Sequence, residues 1–240
     1  MHLFKRLFLL LCFFLTSCGS FSEKPIRLGV DTSWYPIDFG NQQGDVNAYI
    51  EELLQIISRK EDLTFAKINA NWDSLFDDLD KGIYKAVISS LTPIPMKEDR
   101  YSFSDPLLKI GPVLVLKEED SATSLKNLSG KTVLIVEGSS SMNVLQQYPD
   151  IIVRTTTNIP NALNQVADNS VSGALIDVVF AKSYVKDLYA GNLKIVGEPL
   201  TDDALRLITL KGSGFMRTFS KGLKKINEKE LEALQAKWSL

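Results

Sequence analysis

Hydrophobic and polar positions divide the first half of the chain into strand-like and helix-like segments. Ile26–Val30 and Ala86–Leu91 are short, mostly apolar runs that predict strands. Between them, Val46–Arg59 predicts a helix, because its apolar residues recur at spacings of three and four. These apolar residues are Ile50, Leu53, Leu54 and Ile57. The alternation of strand, helix and strand favours a mostly parallel sheet covered by helices.

The same alternation begins again in the second half of the chain. The runs 113–116 and 132–136 are continuously apolar, as expected for buried parallel strands. Pro160 stands early in a predicted helix that continues to Val166, where its missing N–H costs little. Further strands are predicted at 173–176, 194–196 and 205–210, followed by helical segments to the end. Two such restarts predict two compact α/β lobes facing one cleft, with ligands bound beyond the carboxyl ends of strands.

The first 24 residues predict an export signal followed by a lipid anchor. Basic residues precede the apolar run Leu7–Leu15, which is too short to span a membrane. Residues 15–18 (Leu-Thr-Ser-Cys) resemble the bacterial lipobox, in which cleavage exposes a cysteine that receives lipid. We therefore expect a signal peptide at 1–17, lipidation at Cys18, a tether at 18–24 and an extracytoplasmic, membrane-anchored protein. The alternative is an ordinary secretory signal that ends by chance at a cysteine.

Composition restricts the chemistry of the predicted mature domain. The two cysteines are Cys12 and Cys18, and the single histidine is His2, so residues 19–240 contain neither type. This excludes Ser-His and Cys-His catalysis and sites in which cysteine or histidine binds a metal, and nothing in the sequence calls for a cofactor. Loss of Lys5 and Arg6 from the 27 basic residues leaves 25 against 29 acidic ones, a net charge of −4 without a basic stripe. Nucleic acid is therefore not an expected partner.

Several short motifs, taken in chain order, resemble the polar-amino-acid solute-binding proteins of ABC importers, the extracellular solute-binding family 3. They are Ile26–Asp31 with Trp34 and Pro36, Val87–Thr92, Phe103–Pro106, Leu128–Val133, Glu137–Ser140 and Ala174–Asp177. The resemblance implies a two-lobe periplasmic-binding-protein fold (type II), each lobe a mostly parallel sheet flanked by helices, joined by two hinge strands. It also implies a monomer that captures one amino acid and delivers it to ABC permease subunits.

The resemblance also implies where the chain divides. The first lobe would comprise 25–108 and 204–240, and the second would comprise 109–203. The crossings between them would fall near 107–111 and 201–205. Hinge closure around the ligand is the motion expected of such an arrangement.

Three first-lobe residues match positions that surround the ligand side chain in this family. Trp34 and Trp72 match two aromatic walls, which could clamp an aliphatic stem, an amide plane or a cation. Asp31 matches a contact to the distal polar group and favours a polar or cationic side chain, such as that of glutamine or arginine. The alternatives are that both tryptophans belong to the core and that Asp31 caps a turn with Thr32 and Ser33.

The segment after the predicted strand 86–91 departs from the family pattern. Ser89, Ser90 and Thr92 match residues that meet the α-amino and α-carboxylate groups of the ligand. Relatives continue to an arginine that grips the carboxylate with two hydrogen bonds, and Lys97 stands there. Lys97 could hold the carboxylate more loosely, Arg100 could reach in from a shifted loop, or the ligand could differ from a plain α-amino acid. Divergence continues at 47–49, where Asn-Ala-Tyr replaces Gly-Phe-Asp.

Second-lobe residues complete the expected site. Ser139 and Ser140 follow a predicted strand and precede a helix, whose first N–H groups would bind a carboxylate. Asp177 matches the family's ligand to the α-ammonium group. The alternative for each is capping of the helix that follows. Together these residues predict a site that pairs both charges of an amino acid, which makes their burial tolerable.

Two other functions fit the same sequence. A few proteins of similar fold are dehydratases, and an enzyme without histidine or cysteine would rely on a carboxylate or lysine such as Asp31, Glu137 or Lys97. A lipoprotein receptor or surface antigen would use the same fold without a permease. We expect a binding protein rather than an enzyme.

Overall fold

The computed structural model describes residues 24–34, 37–91 and 93–240, and every structural statement below concerns these residues. The predicted signal peptide 1–17, Cys18, the tether up to residue 23, and Thr92 lie outside the described residues. Within the described ranges, no helix combines the length and apolar character needed to cross a bilayer.

Strands and helices alternate along the chain as the hydrophobic pattern predicts. The strands are β1 Ile26–Val30, β2 Phe65–Asn69, β3 Ala86–Ser89, β4 Tyr101–Phe103, β5 Leu108–Lys109, β6 Pro112–Lys117, β7 Thr132–Val136, β8 Ile152–Thr156, β9 Gly173–Asp177, β10 Leu193–Val196 and β11 Ala204–Leu210. The helices are α1 Gln43–Glu61, α2 Trp72–Asp80, α3 Pro95–Glu98, α4 Ser141–Leu145, α5 Ile159–Ala167, α6 Val178–Leu188, α7 Gly214–Lys224 and α8 Glu228–Lys237.

The strands form two sheets, and each sheet with its helices is one lobe. The first-lobe sheet has the order β2-β1-β3-β11-β4, with β5 also paired to β11, and the second-lobe sheet has the order β10-β6-β9-β7-β8. Three neighbouring strands on one side of each sheet are parallel, β2-β1-β3 in the first lobe and β8-β7-β9 in the second. The strands next to the crossings, β11 and β6, pair antiparallel with their neighbours. The type II two-lobe α/β fold is therefore confirmed, with antiparallel strands added where the chain changes lobe.

The chain crosses between the two sheets twice. β5 pairs with β11 in the first lobe, and β6 begins in the second lobe at Pro112. The return crossing lies between the end of β10 at Val196 and the start of β11 at Ala204. The crossings touch at Gly111, where an added Cβ would lie 2.9 Å from the carbonyl oxygen of Thr201.

Periodic apolar residues bury one face of each main helix. In α1 the buried residues include all four that the spacing singles out, and the helix ends at Asp62 in a left-handed conformation. In α5, Asn158 caps the helix by accepting a hydrogen bond from the backbone N–H of Asn161 at 2.9 Å. One continuous cluster of buried side chains, including Leu107 and Val113, joins the cores of both lobes. The lobes therefore share a core near the crossings.

Candidate functional site

A cavity of about 630 Å³ lies between the lobes at the carboxyl ends of strands from both sheets. Ser90 directly follows β3, while Val136 and Asp177 end β7 and β9. All three residues line the cavity, which has the size of a small-molecule site. Ligands of open α/β sheets bind in the crevice outside the carboxyl ends of the strands. We call this cavity the cleft.

Four carboxylates line the cleft, and none of its described lining residues is basic. The lining consists of Ile37, Asp38, Gly40, Ser90, Ile110, Val136, Glu137, Gly138, Ser139, Ser140, Thr157, Ile159, Asp177, Phe180 and Asp203. The acidic members are Asp38, Glu137, Asp177 and Asp203. A concave surface with charges of one sign attracts a ligand of the opposite sign. The cleft is therefore suited to a cation.

Asp177 is the most perturbed of these carboxylates. Burial and, as the smaller cause, the negative charge of Asp203 together raise the pKa of Asp177 to about 6. Asp177 occupies the position before α6, but its side chain makes no capping hydrogen bond to that helix. The capping alternative therefore does not account for this residue. A half-buried carboxylate with this pKa gains stability when a cation approaches it.

Asp203 and Phe180 line the cleft although neither was singled out in the sequence. Asp203 lies on the return crossing, where its carboxylate accepts a hydrogen bond from the Thr201 hydroxyl at 2.7 Å and its carbonyl accepts one from the Ile110 N–H at 2.9 Å. Phe180 lies on the first turn of α6, and its ring approaches Gly40 of the first lobe. The predicted crossing at 201–205 is the sequence signal that pointed toward Asp203.

The serine segment after β7 lies in the cleft. The Ser139 hydroxyl donates to the Val136 carbonyl at 2.7 Å, and the Ser139 N–H donates to the same oxygen at 3.2 Å. Ser140 is the N-cap residue of α4, but its side chain makes no capping bond. Because α4 has five residues, its dipole is small, so any anion would be held mainly by local N–H and hydroxyl groups.

Ser89 and Ser90 of the first-lobe segment differ in position, because Ser89 does not line the cleft. Ser89 is buried at the end of β3, and its hydroxyl accepts a hydrogen bond from the Leu91 N–H at 3.3 Å. Ser90, its neighbour, lines the cleft. The structure thus brings Ser90, Ser139, Ser140 and Asp177 together.

Trp34 is buried in the core of the first lobe. Its side chain is 3% exposed, and its indole N–H donates to Asn47 Oδ1 at 2.8 Å. Asn47 Nδ2 in turn donates to the Thr32 carbonyl at 3.3 Å. This position corresponds to the core alternative, and Asn47, one of the residues that departs from the family pattern, supplies the polar partner that a buried indole needs.

Asp31 and Trp72 line a shallow depression on the first lobe that has no lining residue in common with the cleft. Asp31 Oδ1 accepts hydrogen bonds from the Ser33 N–H at 2.9 Å and from the Ser33 hydroxyl at 2.6 Å. This is the turn-capping alternative for Asp31. Trp72 begins α2, and its ring meets Phe76 edge-on at 6.2 Å. The role of both residues in ligand binding stays a prediction.

Neither basic candidate for the carboxylate lines the cleft. Lys97 lies on α3, after the segment that contains Thr92. Arg100 forms an ion pair with Asp80, and its guanidinium lies 5.8 Å from the centre of the Tyr101 ring. Arg100 is therefore engaged on the surface of the first lobe, which leaves Lys97 as the candidate that a movement of the lobes could bring to the ligand.

A smaller cavity of about 330 Å³ also touches both lobes. Its lining comes from the outgoing crossing, from helices α6 and α8 and from residues within 195–199, and it mixes apolar residues with charged ones such as Lys182 and Glu232. Its lining does not include the ends of β3, β7 or β9. The cleft remains the better candidate, because it joins the strand ends of both sheets to convergent polar groups.

Comparison with known proteins identifies a family. A family model described as bacterial extracellular solute-binding proteins, family 3, matches residues 26–240. The arginine-binding extracellular protein ArtP of Bacillus subtilis (strain 168) is 25% identical over 238 residues, covering 94% of this chain and 92% of ArtP. The virulence sensor protein BvgS of Bordetella pertussis is 30% identical over 146 residues, covering 59% of this chain and 12% of BvgS.

Solved structures show the same fold. The L-cystine solute receptor of Neisseria gonorrhoeae, in its unliganded open conformation, matches with a TM-score of 0.72 and 18% sequence identity. The match covers 89% of this chain and 92% of the receptor. At this identity the likeness is evidence for the fold alone.

Proposed function

The chain belongs to family 3 of the bacterial extracellular solute-binding proteins, and we propose that it captures an amino acid with a cationic side chain for an ABC permease. The observation that carries this proposal is the cleft itself, which holds four carboxylates and no described basic side chain. ArtP, which is similar over nearly the whole chain, is named as an arginine-binding protein. A ligand with two cationic groups would neutralise more of these carboxylates than a neutral amino acid would.

The second lobe supplies partners for both charges of the amino acid backbone. Asp177 pairs with the α-ammonium group. This pairing offsets the cost of burying the carboxylate, which is the cost that raises its pKa. The segment 138–140 lies beside the α-carboxylate, and Ser140, whose side chain makes no capping bond, donates its hydroxyl to it. Asp38 and Asp203 bind the cationic group at the end of the ligand side chain, and the Phe180 ring packs against that side chain.

Closure of the lobes completes the site in this proposal. Lys97 approaches the α-carboxylate from the first lobe, and bending occurs at the two crossings that meet at Gly111. The ligand is then enclosed, which strengthens each ion pair because water is excluded. Trp34, Trp72, Asp31, Ser89 and Thr92 stay predictions from the family pattern.

We also propose that the protein acts outside the cytoplasm as a monomer anchored to a membrane through lipid on Cys18. The support is the lipobox-like sequence at 15–18 together with membership in an extracellular family. Mass spectrometry of the protein extracted from cell membranes tests this point. Acylation of Cys18 as the new N-terminal residue is expected, and an unmodified N-terminus at any other residue would contradict it.

Calorimetric titration tests the capture of an amino acid. Arginine, lysine, ornithine, glutamine and glutamate are each titrated into the purified protein. We expect binding of at least one cationic amino acid, and at least a tenfold loss of affinity with Asp177→Asn, since a buried ammonium group would lose its charged partner. Glu118→Gln is the matched control, because Glu118 is an exposed second-lobe carboxylate outside the cleft. Tighter binding of glutamate than of arginine would overturn the cationic assignment.

A receptor is the second candidate, favoured by the 30% identity to a segment of a sensor protein. Uptake of the labelled ligand into cells that lack this chain separates the two functions. Loss of uptake supports delivery to a permease, whereas unchanged uptake together with retained ligand binding supports a receptor. Recovery of the ligand unchanged after incubation separates both from an enzyme.

A further inference from the structure

A second polar groove lies at the opposite edge of the first-lobe sheet from the cleft. It is formed at the start of β1, just before β3 and just after β11, where the parallel strands begin and the antiparallel strand ends. The cleft lies beyond the ends at which the parallel strands finish. The groove has a volume of about 650 Å³ and contains Lys24, the first residue that the structure describes. We call it the basic groove.

Four exposed basic side chains line the basic groove. They are Lys24, Arg27, Lys85 and Lys211, and no described lining residue of the groove is acidic. Within the described residues none of the four forms an ion pair, although Lys211 donates a hydrogen bond to the carbonyl oxygen of Glu98 at 2.8 Å. Eight lysines elsewhere are ion-paired, namely Lys60, Lys67, Lys81, Lys109, Lys117, Lys221, Lys225 and Lys237. The groove is thus a concentration of unpaired positive charge on an acidic protein.

An exposed apolar residue lies among these charges. Ile83 is 37% exposed and lines the basic groove together with Pro25. Basic side chains around a few apolar ones are the combination that binds the surface of an anionic bilayer, where cations meet headgroups and apolar groups enter the interface. A small soluble anion would use the charges but would leave Ile83 in water.

The covalent chain limits how far the basic groove can be from a membrane. Lys24 lies six positions after Cys18, and a fully extended chain spans at most about 3.6 Å per position, or about 22 Å. This step rests on the anchoring at Cys18 in the proposed function. With lipid on Cys18, the groove is the part of the first lobe that the tether holds nearest the bilayer.

We propose that the basic groove docks on anionic phospholipid headgroups while the protein captures solute, with its cleft facing away from the membrane, and that it leaves the lipid surface to deliver the ligand to a permease. The cleft then stays open to solute, because it lies at the other edge of the same sheet. The net negative charge of the whole chain does not prevent docking, since charges farther away than a Debye length of about 8 Å are screened at physiological ionic strength.

Vesicle co-sedimentation of residues 24–240 tests the docking without the anchor. This fragment contains both sheets and the buried clusters of both lobes. We expect it to bind vesicles that contain phosphatidylglycerol and to bind pure phosphatidylcholine vesicles far less. The quadruple variant Lys24→Gln, Arg27→Gln, Lys85→Gln, Lys211→Gln should lose about fivefold in partitioning for each charge removed. Raising the ionic strength to 1 M, where the Debye length is about 3 Å, should release the wild-type fragment.

A matched variant distinguishes binding by the basic groove from a general effect of the net charge of the protein. Lys126, Lys131, Lys224 and Lys229 are exposed and form no ion pair among the described residues, so their replacement by glutamine removes the same charge outside the groove. The proposal is overturned by equal binding of the groove variant and the wild type, by equal loss in the control variant, or by equal binding to both kinds of vesicle. Ile83→Ser should also weaken binding at physiological ionic strength, because it removes the exposed apolar contact.

The same samples distinguish this proposal from the function of the cleft. Amino-acid affinity is measured by calorimetry for the wild type and the groove variant, and circular dichroism shows that both are folded. Loss of vesicle binding with unchanged amino-acid affinity supports docking by the groove. Absence of amino-acid binding in both proteins contradicts the proposed function while the vesicle result still decides the docking.

Discussion

At the scale of single residues, burial distinguishes the predicted side chains that line the cleft from those that do not. Trp34 and Asp177 both lie near the carboxyl ends of strands and both match family positions. Trp34 is enclosed and paired with Asn47, whereas Asp177 lines the cleft and its side chain caps no helix. The difference comes from neighbours that are distant in sequence. Asn47 begins the divergent segment and satisfies the indole, and Asp203 adds a like charge to Asp177.

The raised pKa of Asp177 predicts a pH dependence of stability. The folded-state pKa is about 6 against an ordinary value of 3.8, so the folded protein binds the proton more tightly. The contribution of this group is therefore fully present below pH 3.8 and is lost as the pH rises to about 6. Asp177→Asn should remove this loss and raise the free energy of unfolding at pH 7 by roughly 3 kcal/mol. Urea unfolding at a series of pH values measures the difference in free energy of unfolding between the wild type and Asp177→Asn. A difference that does not change with pH would contradict the raised pKa of Asp177.

The pairing of Trp34 with Asn47 predicts a loss of stability rather than of binding. Asn47→Ala leaves a buried indole N–H without its partner and should lower the free energy of unfolding by about 1–3 kcal/mol. The control Asn143→Ala changes an exposed residue and should stay within about 0.5 kcal/mol. Amino-acid affinity should be the same in both variants. A selective loss of affinity with Asn47→Ala would contradict this expectation and support the predicted role of Trp34 in ligand binding.

At the scale of elements, local periodicity predicts the strands and helices well, because their patterns are read over a few residues. The predicted strands at 26–30 and 132–136 have the bounds that the structure shows, and the predicted strand 86–91 ends earlier, at Ser89. Periodicity does not indicate whether a strand runs parallel or antiparallel to its neighbours. β11 has the same apolar character as β3 but pairs antiparallel with it, because it enters the sheet from the return crossing.

Because the two crossings touch at Gly111, we predict that this position requires a residue without a side chain. Gly111→Ala would place a Cβ 2.9 Å from the Thr201 carbonyl oxygen, so the crossings must separate. Overpacking of this kind should lower the free energy of unfolding by about 1–3 kcal/mol and weaken ligand binding. Gly44→Ala is the control, since its Cβ would meet no atom within 4 Å and alanine favours the helix by about 1 kcal/mol. Chemical denaturation and calorimetry measure both effects, and equal behaviour of the two variants would remove the steric role of Gly111.

At the scale of the whole molecule, the two lobes are joined by more than their crossings. The main buried cluster includes Leu28 of the first lobe, Leu107 and Ile110 near the outgoing crossing, and Ile176 of the second lobe. Tyr49 adds a buried hydrogen bond from its hydroxyl to the Leu107 carbonyl at 2.7 Å. Because the apolar contacts continue from one lobe to the other, opening of either lobe exposes part of the other core.

The shared core predicts one thermal unfolding transition for both lobes. Leu107→Ala leaves a cavity beside the crossing and should lower the free energy of unfolding by about 2–5 kcal/mol. Leu200→Ala is the control, because Leu200 is 40% exposed. Differential scanning calorimetry of Leu107→Ala should show a single transition at a lower temperature. Two separated transitions would mean that the lobes unfold independently.

The sequence by itself determined the class of fold, the succession of elements, and the absence of histidine and cysteine from residues 19–240. It also placed Ser90, Ser139, Ser140 and Asp177 at strand ends, where they line the cleft. These properties are local, since a strand, a helix or a missing residue type is visible within a short stretch of chain.

The tertiary structure alone decided which charges share the cleft and which aromatic residues do not reach it. Asp38, Asp177 and Asp203 come from a first-lobe loop, a second-lobe strand and a crossing, and their proximity exists only after both sheets have formed. Burial of Trp34 depends on Asn47, thirteen positions away, and the basic groove depends on three strand ends meeting at one edge. Burial and charge are sums over neighbours in space, and for this chain those neighbours are far apart in sequence.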